Sequence, residues 1–200
     1  MTIRLAVLVS GGGTTLQNFL DVIVAGKLDA TIEVVISSNS TAFALERARK
    51  AGIDTHVIRR HDYETQEAFS DAITAVLDRY KVDLILGAGF LQRYVFPARY
   101  EGRMLNVHPA LLPKFGGQGM YGHRVHEAVL AAGESESGCT VHIADHAYDH
   151  GPIVLQKTVP VRPHDTPETL AARVFEAECE AYPEAVRRVA AQLGLGDTAG

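Results

Sequence analysis

Cysteine is scarce in this 200-residue chain: Cys139 and Cys179 are its only two, and no C-x-x-C spacing occurs. That excludes a disulfide framework and a cysteine-built zinc site, and points to a reducing cytoplasm. Both cysteines read as small buried hydrophobes. Positive charge is not abundant either. Lys and Arg number 19 against 24 Asp and Glu, a formal net charge of −5. A protein that binds nucleic acid through its phosphates needs a basic face to displace counterions, so that class is excluded, although a local pocket for a small phosphate is not. Long apolar runs are missing as well. The opening MTIRLAVLVSGGG holds only the short run LAVLV before its glycines, too little for a signal peptide's apolar core. Nothing approaches the roughly twenty apolar residues of a membrane span. Among catalytic signatures, HExxH and G-x-S-x-G are absent. No serine or cysteine nucleophile stands out, which favours direct attack by a substrate amine or by water over a covalent enzyme intermediate.

What is present fits one ordinary domain with a sizeable core, at 46% hydrophobic and 22% charged residues. A β-branched strand over 3–9, a glycine turn and a helix over 14–25 open the chain. A strand over 32–36 with a helix over 42–51, stopped at Gly52, repeats the pattern, as does a strand over 55–58 with a helix over 64–80. Short strands follow at 83–86 and 104–107. Continuous apolar strands alternating with helices imply an α/β fold whose mostly parallel central sheet is covered on both faces. The last third changes character: a helix over 123–132, then strands over 140–144 and 153–159 as a C-terminal antiparallel pair. A long closing helix runs from Pro167 to about Leu193, with Asp165 or Thr166 as its cap. No repeat or linker divides the chain. We expect one domain over 1–194 and a frayed tail over 195–200.

SGGGTT, at the junction of first strand and first helix, is a place where helix-start N–H groups hold an anion and small residues let it approach. A Walker loop would need Gly-Lys before the hydroxyl residue, but Gly13 is followed by Thr14 and Thr15. A dinucleotide site would need an acidic residue after the second strand, which here ends in SSNS. The loop therefore points to a phosphate without a nucleotide cofactor.

In LNVHPALLPKFGGQGMYGH, Asn106 and His108 stand two apart in an extended segment, so their side chains leave the same face. Pro109 holds His108 out of the helical region. At the carboxyl end of a parallel strand the pair opens on the crevice where such sheets take ligands. An Asn amide there stabilises an oxygen gaining negative charge, and a His moves a proton near neutral pH, which together suit attack on a carbonyl. The loop ADHAYDHGP adds Asp145, His146, Asp149 and His150. A carboxylate from it beside His108 would favour the protonated imidazole. Residue chemistry does not choose between Asp145 and Asp149, and the segment lacks a metal-binding spacing.

With these residues in view the chain resembles the phosphoribosylglycinamide formyltransferases, folate-dependent enzymes of purine biosynthesis. The likeness spans nearly the whole chain, through the glycine loop, FALERARKAGI, LGAGF, LNVHPALLPKFGGQGMYG, SGCTVH, YDHGPIVLQ and AARVFEAECEAYP. The Asn-x-His-Pro strand and Asp-x-Gly-Pro loop are shared by folate formyl transferases and hydrolases; the glycine loop and last helix point to this family. The resemblance implies a single-domain, Rossmann-like formyltransferase fold, with a sugar-phosphate half over 1–100 and a catalytic and folate half over 101–194. It implies catalysis by Asn106, His108 and Asp149, with Asp149 keeping His108 protonated. Gly13, Thr14, Thr15 and Glu178 would bind the phosphoribosylglycinamide; the commoner family loop reads Gly-Ser-Asn. Folate would lie on Gln66, Leu91, Gln92, Arg93, Tyr94 and Asn106. Here the chain departs most, since the usual Met-Arg-Ile-Leu is replaced by Leu91 to Tyr94 and an arginine that contacts the folate tail by Gln66. Arg93, or Arg59 and Arg60, is the candidate substitute.

The implied reaction moves the formyl group of the co-substrate 10-formyltetrahydrofolate to the amine of N1-(5-phosphoribosyl)glycinamide through a tetrahedral intermediate. It needs no metal, nucleic acid or membrane, and suits a cytoplasmic monomer or homodimer acting on small molecules. A formyltetrahydrofolate hydrolase is the alternative; it would carry an N-terminal regulatory domain, whereas this chain opens at the first strand. A methionyl-tRNA formyltransferase would want a basic C-terminal domain, and a plain sugar-phosphate binding module would not need the three polar residues together. His142 is expected to be a structural hydrogen-bonding residue near the site, His146 and His150 loop surface, and GGQGMYG a mobile loop over the sugar-phosphate end.

Overall fold

β1 (Ile3–Val9) is buried at every position except Arg4, as a strand must be when both faces of its sheet are covered. A computed structural model of the chain describes residues 2–195; the tail expected to fray lies outside the described residues from 196 on. After β1 come α1 (Thr14–Val24), β2 (Ala30–Ser37), α2 (Phe43–Lys50), β3 (Asp54–Val57), α3 (Gln66–Tyr80) and β4 (Leu84–Gly87). β5 (Met104–His108), α4 (His123–Ala131), β6 (Glu136–Ile143), β7 (Ile153–Pro160) and α5 (Pro167–Gln192) complete the chain. The strands form one sheet in the order β3-β2-β1-β4-β5-β6-β7, the α/β class that the alternation predicts.

The described residues divide into two compact units, 2–105 with 189–195, and 106–188. In the first, β1 pairs in parallel with β2 on one side and β4 on the other, and β2 with β3. Chain order reverses between β1 and β4, so the loops leaving their carboxyl ends flank a topological switch point. Those loops are the glycine run and the segment after Gly87. Leu5, Val7, Val34, Ile36, Leu84 and Leu86 are fully buried at this unit's centre. α2 stops where the sequence says: Gly52 N–H donates to Arg49 O at 3.0 Å and Ile53 N–H to Ala48 O at 2.9 Å, the pair of bonds that closes a helix end.

In the second unit β6 and β7 are the expected antiparallel pair. β6 starts at Glu136, four residues before the expected Thr140, because the polar run ESG pairs with the end of β7, Glu136 opposite Pro160; backbone pairing, not hydrophobicity, makes it a strand. Thr166, not Asp165, caps α5. Thr169 N–H donates to its hydroxyl at 3.3 Å and Thr166 N–H to the Thr169 hydroxyl at 2.9 Å. Asp165 instead takes a forked contact from Arg173 at 2.8 and 2.9 Å. α5 runs through Pro183, whose ring cannot donate to the carbonyl four residues back; burial of Ala181, Tyr182, Ala185 and Val186 around it offsets that loss. No helix among the described residues is long and apolar enough to cross a membrane.

Candidate active site

β5 ends at His108, immediately before Pro109, and the second unit gathers polar side chains around that end. His108 is buried, with its Nδ1 3.4 Å from Asp149 Oδ2. Its Nε2 lies 2.7 Å from Phe115 O, and since a carbonyl only accepts, Nε2 carries a proton. Asn106 Nδ2 is 3.3 Å from His142 Nε2, while His142 Nδ1 donates to Ile143 O at 3.1 Å. His142 Nε2 is also 3.5 Å from Asp149 Oδ1. The expected Asn106, His108 and Asp149 are thus brought together, with His142 as the hydrogen-bonding residue among them.

Asp145 is elsewhere employed. Its carboxylate pairs with the exposed His150 at 2.9 Å and accepts Ala147 N–H at 2.8 Å. This leaves Asp149 as the carboxylate of the site. Asp149 and Phe115 have left-handed backbone, φ 54° and 58°, uncommon for residues with side chains and a strain that gathers at functional sites.

The glycine-rich segment after Phe115 belongs to this arrangement. Gly117 N–H donates to Asp149 Oδ2 at 2.9 Å. A side chain at Gly116 would displace the Leu112 methyl at 2.5 Å and press on Asp149 Cβ at 3.3 Å, so the backbone there packs closely on Asp149. Sequence reading missed this role; the GG pair directly after a buried-site aromatic was its only trace.

Opposing influences act on His108. Burial dominates at His108 and draws its pKa below the ordinary imidazole value, with His142 adding to the fall; Asp149 and the Phe115 carbonyl pull the other way and do not prevail. Burial of His108 thus works against the imidazolium, while the Asp149 carboxylate beside Nδ1 and the Phe115 carbonyl at Nε2 work for it. Burial alone would raise the Asp149 carboxyl, but His142, His108 and Gly117 N–H together hold it below the usual range.

The other predicted residues fall into two groups. Gly13, at φ 70°, caps α1 without a side-chain hydrogen bond, so the N–H groups of Thr14 and Thr15 open the helix free for an anion. A Cβ at Gly13 would stand 2.6 Å from Ala44 Cβ and 2.8 Å from Ala44 Cα, which fixes glycine at that position. Leu91 N–H donates to Ser10 Oγ at 2.9 Å, and Ser10 Oγ lies 2.6 Å from Ser38 Oγ, a tether that sequence reading did not find. Leu91, Gln92 and Arg93 are exposed or half-buried, whereas the Tyr94 ring is buried with its hydroxyl 2.9 Å from Thr74 Oγ1. Tyr94 therefore anchors its segment by the side chain. Gln66 Nε2 donates to Arg93 O at 2.6 Å. Arg60 donates to Gln66 Oε1 and Tyr63 O, while Arg59 is neutralised by a forked contact with Asp62. In the second unit Glu178 retains some surface, yet loss of hydration around its carboxyl pushes the pKa up to about 7. Among the described residues no group of three or more His, Cys, Asp or Glu is placed to hold a metal ion.

Residues 3–186 match the model of a family described as formyl transferase. The chain belongs to that family. The chain is 37% identical over 182 residues to the phosphoribosylglycinamide formyltransferase of Escherichia coli, covering 90% of this chain and 84% of that protein. It is 42% identical over 189 residues to the trifunctional purine biosynthetic protein adenosine-3 of Bos taurus, covering 94% of this chain but only 18% of that protein's length. In three dimensions it matches the crystal structure of phosphoribosylglycinamide formyltransferase from Brucella melitensis, with a TM-score of 0.86 and 42% identity. That match covers 96% of this chain and 97% of the other.

Proposed function

We propose that the chain transfers the formyl group of 10-formyltetrahydrofolate to the amine of N1-(5-phosphoribosyl)glycinamide, in the cytoplasm, as a monomer or homodimer. The observation that carries this reading is the gathering of Asn106, His108 and Asp149, within a family match over 3–186. The amine nitrogen bonds to the formyl carbon, giving a tetrahedral intermediate. The Asn106 amide donates to its oxygen. Collapse breaks the bond from that carbon to the folate nitrogen, leaving the formylglycinamide ribotide and tetrahydrofolate once a proton has passed from the amine to the leaving nitrogen.

His108 carries its proton on Nε2 and donates from there to the same oxygen of the intermediate, while the amine proton passes to the leaving folate nitrogen through water beside the Asp149 carboxylate. Nε2 is occupied by the Phe115 carbonyl, so the strained backbone at Phe115 yields as the formyl group enters. Gly13, Thr14 and Thr15 of the half over 1–100 take the substrate phosphate on the α1 start, and Glu178 takes the ribose hydroxyls. Leu91, Gln92, Arg93 and the backbone at Tyr94 receive the folate ring, together with Asn106. Gln66 secures that segment through Arg93 O. Arg60, whose contacts are neutral acceptors, supplies the charge for the folate tail.

The test supplies both substrates and follows formyl transfer against formate release. Transfer that depends on the phosphoribosylglycinamide is the expected result; formate released at the same rate without it makes the chain a hydrolase.

A further inference from the structure

Three successive carbonyls of the glycine run are anchored. Gly11 O accepts Ala44 N–H at 3.1 Å, Gly12 O accepts Arg47 Nε–H at 2.9 Å, and Gly13 O accepts Gln17 N–H at 2.9 Å. In a planar trans peptide the N–H lies opposite the C=O. The first two anchors come from α2, so they turn the N–H groups of Gly12 and Gly13 away from that helix, while the third is the first bond of α1. Two anchors are main-chain donors that any α2 and α1 would provide. Arg47 alone is a side chain, and it holds the central peptide.

Its guanidinium is fixed from three directions. Nε is on Gly12 O, Nη1 donates to Gln17 Oε1 at 2.9 Å, and the plane lies over the Phe43 ring with 5.0 Å to the centroid. That gives a role to Phe43, which stands 48% exposed at the start of α2: a platform that keeps a long cationic side chain in one geometry. Gly11 and Gly12 have a complementary property. A Cβ on either meets nothing within 4 Å, so unlike Gly13 they owe their missing side chains to no neighbour in the fold. Bare backbone with outward N–H groups is what an approaching anion needs.

We infer that Arg47 is a positioning residue for the phosphate of the phosphoribosyl substrate, acting through the Gly12 carbonyl to aim the Gly13 N–H into the anion site. The inference rests on the proposed transferase reading for the substrate's identity, but not for the phosphate chemistry. Arg47→Met keeps a stem over Phe43 and removes every donor; Arg47→Lys returns one cationic donor within reach of Gly12 O. In the Met variant the KM for the phosphoribosyl substrate rises about tenfold or more, as loss of a charged hydrogen bond implies, while kcat and the folate KM stay within about twofold. The inhibition constant of inorganic phosphate rises in step, and Lys recovers most of both. Unchanged KM and phosphate inhibition in the Met variant overturn the inference, as does a loss confined to kcat. Direct titration with inorganic phosphate separates the two readings. A wild type that binds phosphate more tightly than Arg47→Met yet transfers no formyl group sinks the functional reading and retains Arg47. A wild type that takes up no phosphate overturns Arg47's role.

Discussion

Asp149 shows how little a single residue's chemistry says until its neighbours are known. ADHAYDHGP offers two carboxylates with equal claims, and only the resemblance separated them. The fold gives the reason: Asp145 is spent on His150 and its own turn, while Asp149 takes a left-handed backbone that sets its carboxylate between His108, His142 and Gly117 N–H. Asn106 and His108 were legible, because a period of two puts them on one face whatever the strand packs against. The charge on His108 was not, since it depends on the balance of burial against Asp149. We expect His108→Ala and Asp149→Asn to lower kcat by roughly a thousandfold while leaving phosphate binding within about threefold. Single-turnover rates with phosphate titration check this, and kcat within tenfold of wild type in either variant removes that residue from the chemistry.

Among elements, the loops and helix starts set by backbone rules were read well. The glycine run, the Gly52 stop and the α5 start need only local conformational preferences, which a sequence displays directly. β6 was read short because a polar strand has no pattern of its own and exists through pairing with β7. The segment after β4 required contacts as well: Ser10 tethers Leu91, Thr74 receives Tyr94, and Gln66 reaches Arg93 O. Sequence alone offered Arg93, Arg59 and Arg60 as substitutes for the arginine replaced by Gln66. Asp62 pairs with Arg59, Arg93 is exposed, and Arg60 sits beside Gln66 on neutral acceptors; of the two uncommitted cations we propose Arg60 for the folate tail. Arg60→Ala should raise the KM for a polyglutamylated folate by about tenfold and that for a folate lacking the glutamate tail by less than about twofold, in line with loss of one charged contact. Equal effects on both folates would place the tail elsewhere.

For the whole molecule, buried histidines tie stability to pH. His126 on α4 is 5% exposed and its Nδ1 has no hydrogen-bond partner among the described residues. Burial, then the charges of His123 and His108, lower its pKa to about 4. A folded-state pKa below the unfolded value means that the unfolded chain takes the proton first on acidification. Stability from this group is therefore full above about pH 6.5 and falls progressively toward pH 4, by on the order of 3 kcal/mol. His108 shifts in the same direction. We expect the urea midpoint to drop between pH 7.5 and pH 5, and His126→Leu to flatten that drop; a variant as pH-sensitive as the wild type would show that His126 is not its source.

The sequence by itself determined the α/β class, the glycine loop and the shared face of Asn106 and His108, because each follows from periodicity or from what a residue's own backbone permits. Tertiary structure alone decided the use of Asp145 against Asp149, the opposing pulls of burial and Asp149 on His108, the service of Gly116 and Gly117 to Asp149, and the hold of Arg47 on Gly12. Those depend on which distant groups share a dry space, and in a dry space desolvation and a few hydrogen bonds outweigh the intrinsic character of a side chain.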